Sequence, residues 1–381
     1  MTTSTAATAA TAATAATAAT AATAATAATA ASGVQQVAGL YDGTTTLGLM
    51  TARDGIVGPW SYSKKYKPSP WAQNKACNLA QWSQMVRAES VIGEVMARLQ
   101  LRTKNDALSL YHVEAGAVGQ LPTCHAYKMM GFTRPEPSDF AEQMAQMRAY
   151  ADLRVDRVSE ILTQAGNLLP YFSSICAMSP AKMRYTHELL SVVQAIATRL
   201  VLQVKSSLAC KRPEAYSAQI QPIIPTPAHG TLPSGHATEA HVMALTLASV
   251  ISQAGNIPPE TTAMLLHQAG RVSVNRTIAG VHFPVDSLAG TAFGVHLAHY
   301  LRNLVLCGNS IDEISFEGAG SKGAAYNPQN LLEDDTKGPE AADASRLSCT
   351  KAVKKHLLPS DKHLNSPQFQ WLWNEAVKEW K

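Results

Sequence analysis

The sequence has few of the features that mark several common classes of protein. Aromatic residues make up only 6% of the 381 residues and charged residues 16%, and the net charge is +4. A charge this mild does not indicate nucleic-acid binding, and the densest basic runs are the pairs Lys64-Lys65 and Lys354-Lys355. We therefore expect no nucleic-acid partner.

Paired cysteine motifs and long apolar runs are also missing. No CxxC pair occurs among the six cysteines, which excludes a readable zinc ribbon or thioredoxin-like motif. Reduced, buried thiols are the expectation, with one or two disulfides as the open alternative. No stretch reaches the ~20 apolar residues that span a bilayer, and the N-terminus lacks the basic and apolar regions of a signal peptide. We expect a soluble chain with no transmembrane segment, in a compartment that the sequence does not indicate.

Composition divides the chain into three parts. Residues 1–33 are mostly a Thr-Ala-Ala repeat, which has no apolar stripe to bury and is predicted to be a disordered tail or a marginal helix. Residues 34–306 are predicted to form a helical catalytic body with the candidate site at 205–286, because apolar residues recur at helical spacing and no alternating strand pattern stands out. Residues 307–381 are predicted to be an acidic loop and a helical extension, whose tryptophans pack against the body or a partner subunit. We expect an all-α helical bundle.

Helix ends can be placed from capping signals. Ser179-Pro180 resembles an N-cap followed by proline, and the helix that it opens would carry Lys205 near its end. Gly235 leads into a helix that should stop at Gly255, and Asp286 is predicted to cap the last helix of the body. Short runs of polar residues lie beside these predicted helix ends.

Three short runs bring cations, imidazoles and a Ser-Gly turn to helix ends. Lys205 is followed after six residues by Arg212, then comes the run Pro233-Ser234-Gly235-His236, and Arg276 is followed after five residues by His282. Arginine donates two in-plane hydrogen bonds and keeps its charge, lysine adds a point charge, and glycine lets a helix N-terminus approach an anion closely. The set suits a tetrahedral, multiply charged oxyanion such as phosphate or vanadate.

The two histidines of these runs have different predicted roles. His282 can bond to the central atom of the oxyanion, and His236 can act as a general acid or base. Asp286, four residues after His282, can orient the ring through its other nitrogen. Each run alone has an ordinary explanation, as a solvated helix end, a turn with an N-cap or a structural histidine, and it is their order that favours a site. Core or surface positions are the default for the other histidines, His112, His125, His241 and His267.

From Lys205 to Gly290 the sequence resembles the vanadium haloperoxidase and type 2 phosphatidic acid phosphatase superfamily. The resemblance implies paired four-helix bundles with the anion deep in a funnel. It implies that His282 is the vanadium ligand, or the nucleophile in a phosphatase, and that His236 is the acid–base group. The oxyanion-binding residues that it implies are Lys205, Arg212, Ser234, Gly235 and Arg276. Where the family often has serine before the second arginine, this chain has Asn275.

The same pocket could serve two activities, since vanadate mimics phosphate. In a haloperoxidase, vanadate is the cofactor, hydrogen peroxide oxidises a halide to hypohalous acid for an organic acceptor, and Lys205 polarises the peroxide. In a soluble acid phosphatase, His282 forms a phosphohistidine. A binding protein without catalysis is a third class, which would retain its function when His282 is lost.

Three details favour the haloperoxidase, with bromide preferred to chloride. The run Arg212-Pro213-Glu214-Ala215 and the sequence Pro-Ser-Gly-His-Ala-Thr at residues 233–238 are similar to those of haloperoxidases. His229 lies five residues before Ser234, a position at which bromoperoxidases also look to carry a histidine. It is therefore a further candidate catalytic residue. The alternative is that His229 caps a loop. Members of the family often oligomerise, so the resemblance allows a homo-oligomer.

Overall fold

The computed structural model describes residues 43–57, 69–104, 107–114, 125–255, 258, 260–321, 323–360 and 362–381. The predicted disordered repeat at residues 1–33 lies outside them. The α-helices among these residues are α1 (Gly43–Ile56), α2 (Gln84–Met96), α3 (Pro137–Ala151), α4 (Arg154–Gln164), α5 (Leu169–Cys176), α6 (Arg184–Leu208), α7 (Gly235–Ala254), α8 (Thr261–Ile278), α9 (Pro284–Val305) and α10 (Pro367–Lys378). The strands are β1 (Leu99–Lys104), β2 (Ala107–Glu114), β3 (His125–Thr133), β4 (Ser310–Glu317) and β5 (Thr350–Leu357).

A five-stranded mixed sheet shows that the all-α prediction was wrong. The strand order is β1-β2-β3-β4-β5, and every neighbouring pair is antiparallel except β3 and β4, which are parallel. In that parallel pair Met130 lies opposite Ile314 and Phe132 opposite Phe316. The protein is therefore a mixed α and β structure rather than a pair of helical bundles.

The strands of the sheet were not predicted from the sequence for two physical reasons. In β2 the successive residues Leu108, Ser109 and Leu110 are all buried, so this strand lacks the alternation of one-sided strands. Strand β4 lies in the segment that was interpreted as an acidic loop, and its partner β3 is far back in the chain. Pairing between distant segments leaves no local period in a sequence.

Helices α6 to α9 form the part of the fold that carries the candidate site. Helix α7 packs against α6, α8 and α9 and is buried along almost its whole length. The sheet covers α9, where the rings of Phe132 and Phe293 lie 5.3 Å apart and His112 Nδ1 lies 2.8 Å from the hydroxyl of Tyr300. From α10, Trp373 Nε1 donates a 2.7 Å hydrogen bond to Gln253, so the C-terminal tryptophans pack against the body.

The sequence was expected to contain no apolar segment long enough to cross a membrane, but one helical segment is long enough. The segment Arg184–Ala215, which contains α6, is long and apolar enough to cross a membrane by length and composition. Of its most apolar stretch, 56% is buried inside the protein. The core helix of a globular protein can be equally long and apolar. The cysteines of the described residues, Cys77, Cys176, Cys210, Cys307 and Cys349, are free thiols, but Cys210 alone among them is buried, whereas Cys77 and Cys307 are exposed.

Two glycines let α9 cross the start of α7 at close range. A Cβ added to Gly290 would lie 2.5 Å from the carbonyl oxygen of Ser234, and one added to Gly294 would lie 2.5 Å from that of Thr238. Contacts this short are sterically forbidden, so only glycine permits the crossing. The crossing also brings the backbone N–H of Ser234 to 2.9 Å from the carbonyl of Asp286, which joins the starts of the two helices.

We expect Gly290→Ala to lower the free energy of unfolding by about 1–3 kcal/mol, because the new methyl group must push α9 away from α7. The matched control is Gly93→Ala in α2, where an added Cβ meets nothing within 4 Å. That change should raise the free energy of unfolding by about 0.5–1 kcal/mol, because alanine favours a helix over glycine. Urea unfolding followed by circular dichroism measures both. Equal effects at the two positions would show that the helix crossing does not require Gly290.

Candidate oxyanion site

The three sequence runs converge on one buried place. Lys205 lies in the last turn of α6, Arg276 lies in the last turn of α8, and Ser234 is the N-cap of α7. Arg212 directly precedes a short 3₁₀ turn, and His282 lies two residues before α9 begins. Lys205, Arg212 and Arg276 are only 2%, 7% and 1% exposed. The structure thus brings the predicted residues together with three cations shielded from water.

His282 is held through Nδ1 and presents Nε2 to the cations. Its Nδ1 lies 3.1 Å from Asp286 Oδ2 and 3.2 Å from Thr231 Oγ1. Because a carboxylate faces Nδ1, the ring proton belongs there and Nε2 carries the lone pair. Nε2 lies 3.3 Å from Arg212 Nη1, so it points toward the cations. This is the orientation that a bond to the central atom of an oxyanion requires.

Burial, together with the neighbouring cations, keeps both site histidines neutral. Burial, followed by the charges of Arg212 and Lys205, holds the pKa of His282 well below its usual value. Burial and the charge of Arg276 likewise lower the pKa of the half-buried His236. A neutral ring leaves the lone pair of His282 free to bond. An anion among these cations would raise the pKa of His236 again, which prepares that ring to exchange a proton when the pocket is filled.

Lys205 and Arg212 hold the surrounding loops through hydrogen bonds to backbone carbonyls. Lys205 Nζ donates to the carbonyls of Gly230 and Thr231, at 2.8 Å each. Arg212 Nε donates to the carbonyl of His229 at 3.0 Å, and its Nη1 donates to that of Val281 at 2.7 Å. Burial, with a smaller contribution from the Arg212 charge, lowers the pKa of Lys205 to about 7. An anion beside Lys205 would favour its charged form.

Arg276 has donors that no group in the described part of the chain accepts. Its Nη2 donates to the carbonyl of Ile161 at 3.1 Å and lies 3.4 Å from Gln164 Oε1, but Nε and Nη1 are buried without a partner. A buried guanidinium with free N–H groups is costly unless an anion accepts from it. Together with the Ser234 hydroxyl and the first N–H groups of α7, these donors fit the oxygens of a bound vanadate or phosphate.

Thr231 is a site residue that sequence reasoning missed. Its hydroxyl is buried, donates to Asp286 Oδ2 and contacts His282, so it holds the carboxylate and the imidazole together. A single hydroxyl residue in a loop has no periodic signal, and only its place three residues before Ser234 could have pointed to it. Asn275 is bonded to Glu160 and Gln164, at 3.1 and 2.9 Å, and so supports the group that holds Arg276.

Among the other histidines that the sequence analysis considered, some are exposed and some are buried. His229 is exposed, and its Nδ1 lies 3.2 Å from Arg212 Nη2 and 3.1 Å from the carbonyl of Gly230. It therefore lies at the solvent side of the site rather than apart from it. His241 Nδ1 is bonded to the carbonyl of Ala237 within α7. His112 is also buried away from the site, whereas His125 and His267 are exposed.

The donor set suits an anion rather than a metal cation. In the part of the chain that the structure describes, no group of three or more His, Cys, Asp or Glu side chains could hold a metal ion. A single histidine facing a central atom, with arginine, lysine and backbone N–H groups for the oxygens, is instead the arrangement that an oxyanion needs. The fold and these side chains define a candidate oxyanion site centred on His282 at the ends of packed helices.

Comparison with known protein families agrees with this class. Residues 188–306 match the PAP2 superfamily, so the chain carries a PAP2 superfamily domain that runs from within α6 to the end of α9. Proteins with this domain are usually enzymes, either phosphatases or haloperoxidases. A search of curated proteins finds no match to this chain. The match covers about a third of the chain and leaves the sheet and α10 outside it.

Proposed function

We propose that the protein is a vanadate-dependent haloperoxidase that oxidises a halide, bromide in preference to chloride, with hydrogen peroxide. The observation that supports this choice is the third imidazole of the site, that of His229, whose Nδ1 lies 3.2 Å from Arg212 Nη2 on the solvent side. Phosphoryl transfer needs a nucleophile and an acid–base group, which His282 and His236 already provide. An additional imidazole against an oxyanion-binding arginine is better explained by a reaction in which a second small reactant enters from solvent.

The residues of the site divide the work as follows. His282 would bond to the vanadium, and Lys205, Arg212, Ser234, Gly235 and Arg276 would hold the oxygens. Bound vanadate supplies Lewis-acid activation of hydrogen peroxide. The three cations stabilise negative charge in a site that excludes water, and Lys205 is the group placed to polarise the reacting oxygen. His236 exchanges the proton, and Asp286 with Thr231 keeps the Nδ1 proton of His282 in place.

One experiment separates the two enzyme classes. An apo preparation is divided, and one half is titrated with orthovanadate and assayed for bromination with bromide and hydrogen peroxide. The other half, free of vanadate, is assayed for hydrolysis of a chromogenic phosphomonoester. Bromination that saturates with vanadate and is inhibited by phosphate supports the proposal. Rapid ester hydrolysis that vanadate inhibits, without bromination, would assign the site to a phosphatase.

Replacing His229 by phenylalanine tests the residue on which the proposal depends. We expect His229→Phe to change the bromide-to-chloride ratio of kcat/KM, or the KM for peroxide, by roughly tenfold, because a polar group beside Arg212 is lost. The measurement is steady-state bromination and chlorination at fixed peroxide. Unchanged kinetics with both halides would reduce His229 to the capping of its loop.

The pH profile of turnover should reveal the role of Thr231. Orientation of His282 requires the ionised form of Asp286, whose pKa burial raises to about 6 and the Thr231 hydroxyl lowers. Turnover should therefore fall as the pH drops through this pKa. Thr231→Val removes the lowering hydrogen bond, so the acidic limb of the kcat profile should move to higher pH and turnover near pH 7 should fall roughly tenfold. Thr231→Ser should restore the profile, and an acidic limb that stays in place in the valine variant would exclude this role.

A further inference from the structure

A carboxylate lies beside the oxyanion pocket and has no part in the chemistry described so far. Glu239 is on α7, one turn after Gly235, and is half-buried. Its Oε1 lies 3.7 Å from the position that a Cβ on Gly235 would occupy. It is therefore next to the glycine that is proposed to bind the oxyanion.

The hydrogen bonds of Glu239 fix this position. Oε1 accepts from Thr198 Oγ1 at 2.9 Å, and Oε2 accepts from Gln194 Nε2 at 3.1 Å. Both partners are on α6, the helix that ends in Lys205, so the carboxylate is held between α6 and the start of α7. Burial raises the pKa of Glu239, while the charge of Lys205 lowers it. The two groups are close enough to influence each other.

The charge of Glu239 must act on whatever anion fills the pocket. With an anion bound, which favours the charged form of Lys205, the side chains of Lys205, Arg212 and Arg276 contribute three positive charges, and Asp286 offsets one of them. An ionised Glu239 offsets a second positive charge. The attraction that remains suits a weakly charged anion. Because Coulomb energy is proportional to the charge of the guest, the carboxylate opposes a dianion twice as strongly as a monoanion at the same place.

We propose that Glu239 is a specificity-determining residue that makes the pocket favour singly charged tetrahedral oxyanions over doubly charged ones. The inference rests on the oxyanion site of the proposed function, but not on which reaction the site performs. In the haloperoxidase it would favour a protonated form of vanadate, and in a phosphatase it would favour a monoanionic ester.

The test measures binding rather than turnover. Dissociation constants for sulfate, a tetrahedral dianion, and perrhenate, a tetrahedral monoanion, are measured by calorimetry at about pH 8 with the full-length apoprotein. Glu239→Gln keeps the shape and removes the charge. It should tighten sulfate binding roughly tenfold and perrhenate binding roughly threefold, the first factor being the square of the second. Glu239→Asp should keep the wild-type ratio of the two constants.

A charge-matched control is available on a neighbouring helix. Glu89→Gln removes the same charge from α2, where Glu89 is exposed and pairs with Arg199 of α6 at 3.2 Å. It should change neither constant. If Glu239→Gln leaves both constants unchanged, or tightens both equally, the selectivity role is overturned while the oxyanion site stands. If the wild-type protein binds neither anion nor phosphate, the oxyanion site itself fails, and this inference fails with it.

Discussion

His282→Ala should lower vanadate-dependent bromination by roughly 10³-fold or more, since it removes the group proposed to bond to the central atom. His282 is buried, and its Nε2 lies 3.3 Å from Arg212 Nη1, on the side of the ring where the anion is expected. Phosphate affinity should fall much less, because the cations that hold the oxygens remain. Steady-state bromination and calorimetric phosphate binding on the same variant separate these two effects.

The control for this variant is His267→Ala, which removes an exposed histidine from α8. It should leave bromination and phosphate binding at wild-type levels. Near-normal bromination in His282→Ala would contradict the assignment of His282 as the vanadium ligand. Physiological function that survived the loss of His282 would place the protein among anion-binding proteins without catalysis.

Arg276→Met should have opposite effects on activity and on stability. Turnover should fall about 10²–10³-fold, because the pocket loses a donor that stabilises developing negative charge. The ligand-free protein should become more stable by about 1–4 kcal/mol, since methionine fills a similar volume and removes a buried charge with two unpaired donors. Urea unfolding in an anion-free buffer measures the gain, and bromination measures the loss.

Phosphate provides a second readout for the same variant. Phosphate at a hundred times its dissociation constant should stabilise the wild-type protein by about 2.7 kcal/mol and the Arg276→Met variant by far less. The control is Arg271→Met, one turn earlier on α8, where a half-exposed arginine pairs with Glu160. That change should alter stability by no more than about 1 kcal/mol and leave turnover intact. A loss of stability in Arg276→Met would mean that its guanidinium is satisfied within the protein.

The residues of the candidate site could be predicted because their signals are local. Cations and glycine near helix ends follow from what an oxyanion needs, and the structure places Lys205 at the end of α6 and Gly235 at the start of α7. The end of α7 was also predicted correctly, where Gly255 takes a φ of +85° as the helix C-cap. The start of α6 was less accurate: it begins at Arg184 rather than directly after Ser179-Pro180, because a turn intervenes.

The sheet could not be predicted in the same way. Its parallel pair joins β3 to β4 across the whole helical domain, and such a pairing depends on tertiary packing rather than on neighbouring residues. The family resemblance reinforced the error, because it covers only the helical part and implied a bundle. Thr231 was missed for a related reason, since its importance arises only when α9 brings Asp286 and His282 to the loop before α7.

The parallel pairing of β3 with β4 also bears on how the chain emerges from the ribosome. Strand β3 is made early, but its partner appears only after every residue of the oxyanion site has been synthesised. A fragment that ended at Val305 would contain the complete site, yet it would leave an open strand edge at β3 and Gln253 without its bond from Trp373. Open strand edges recruit other chains. The described residues after Val305 contribute no group to the candidate site, but they cover the edge of β3 with β4.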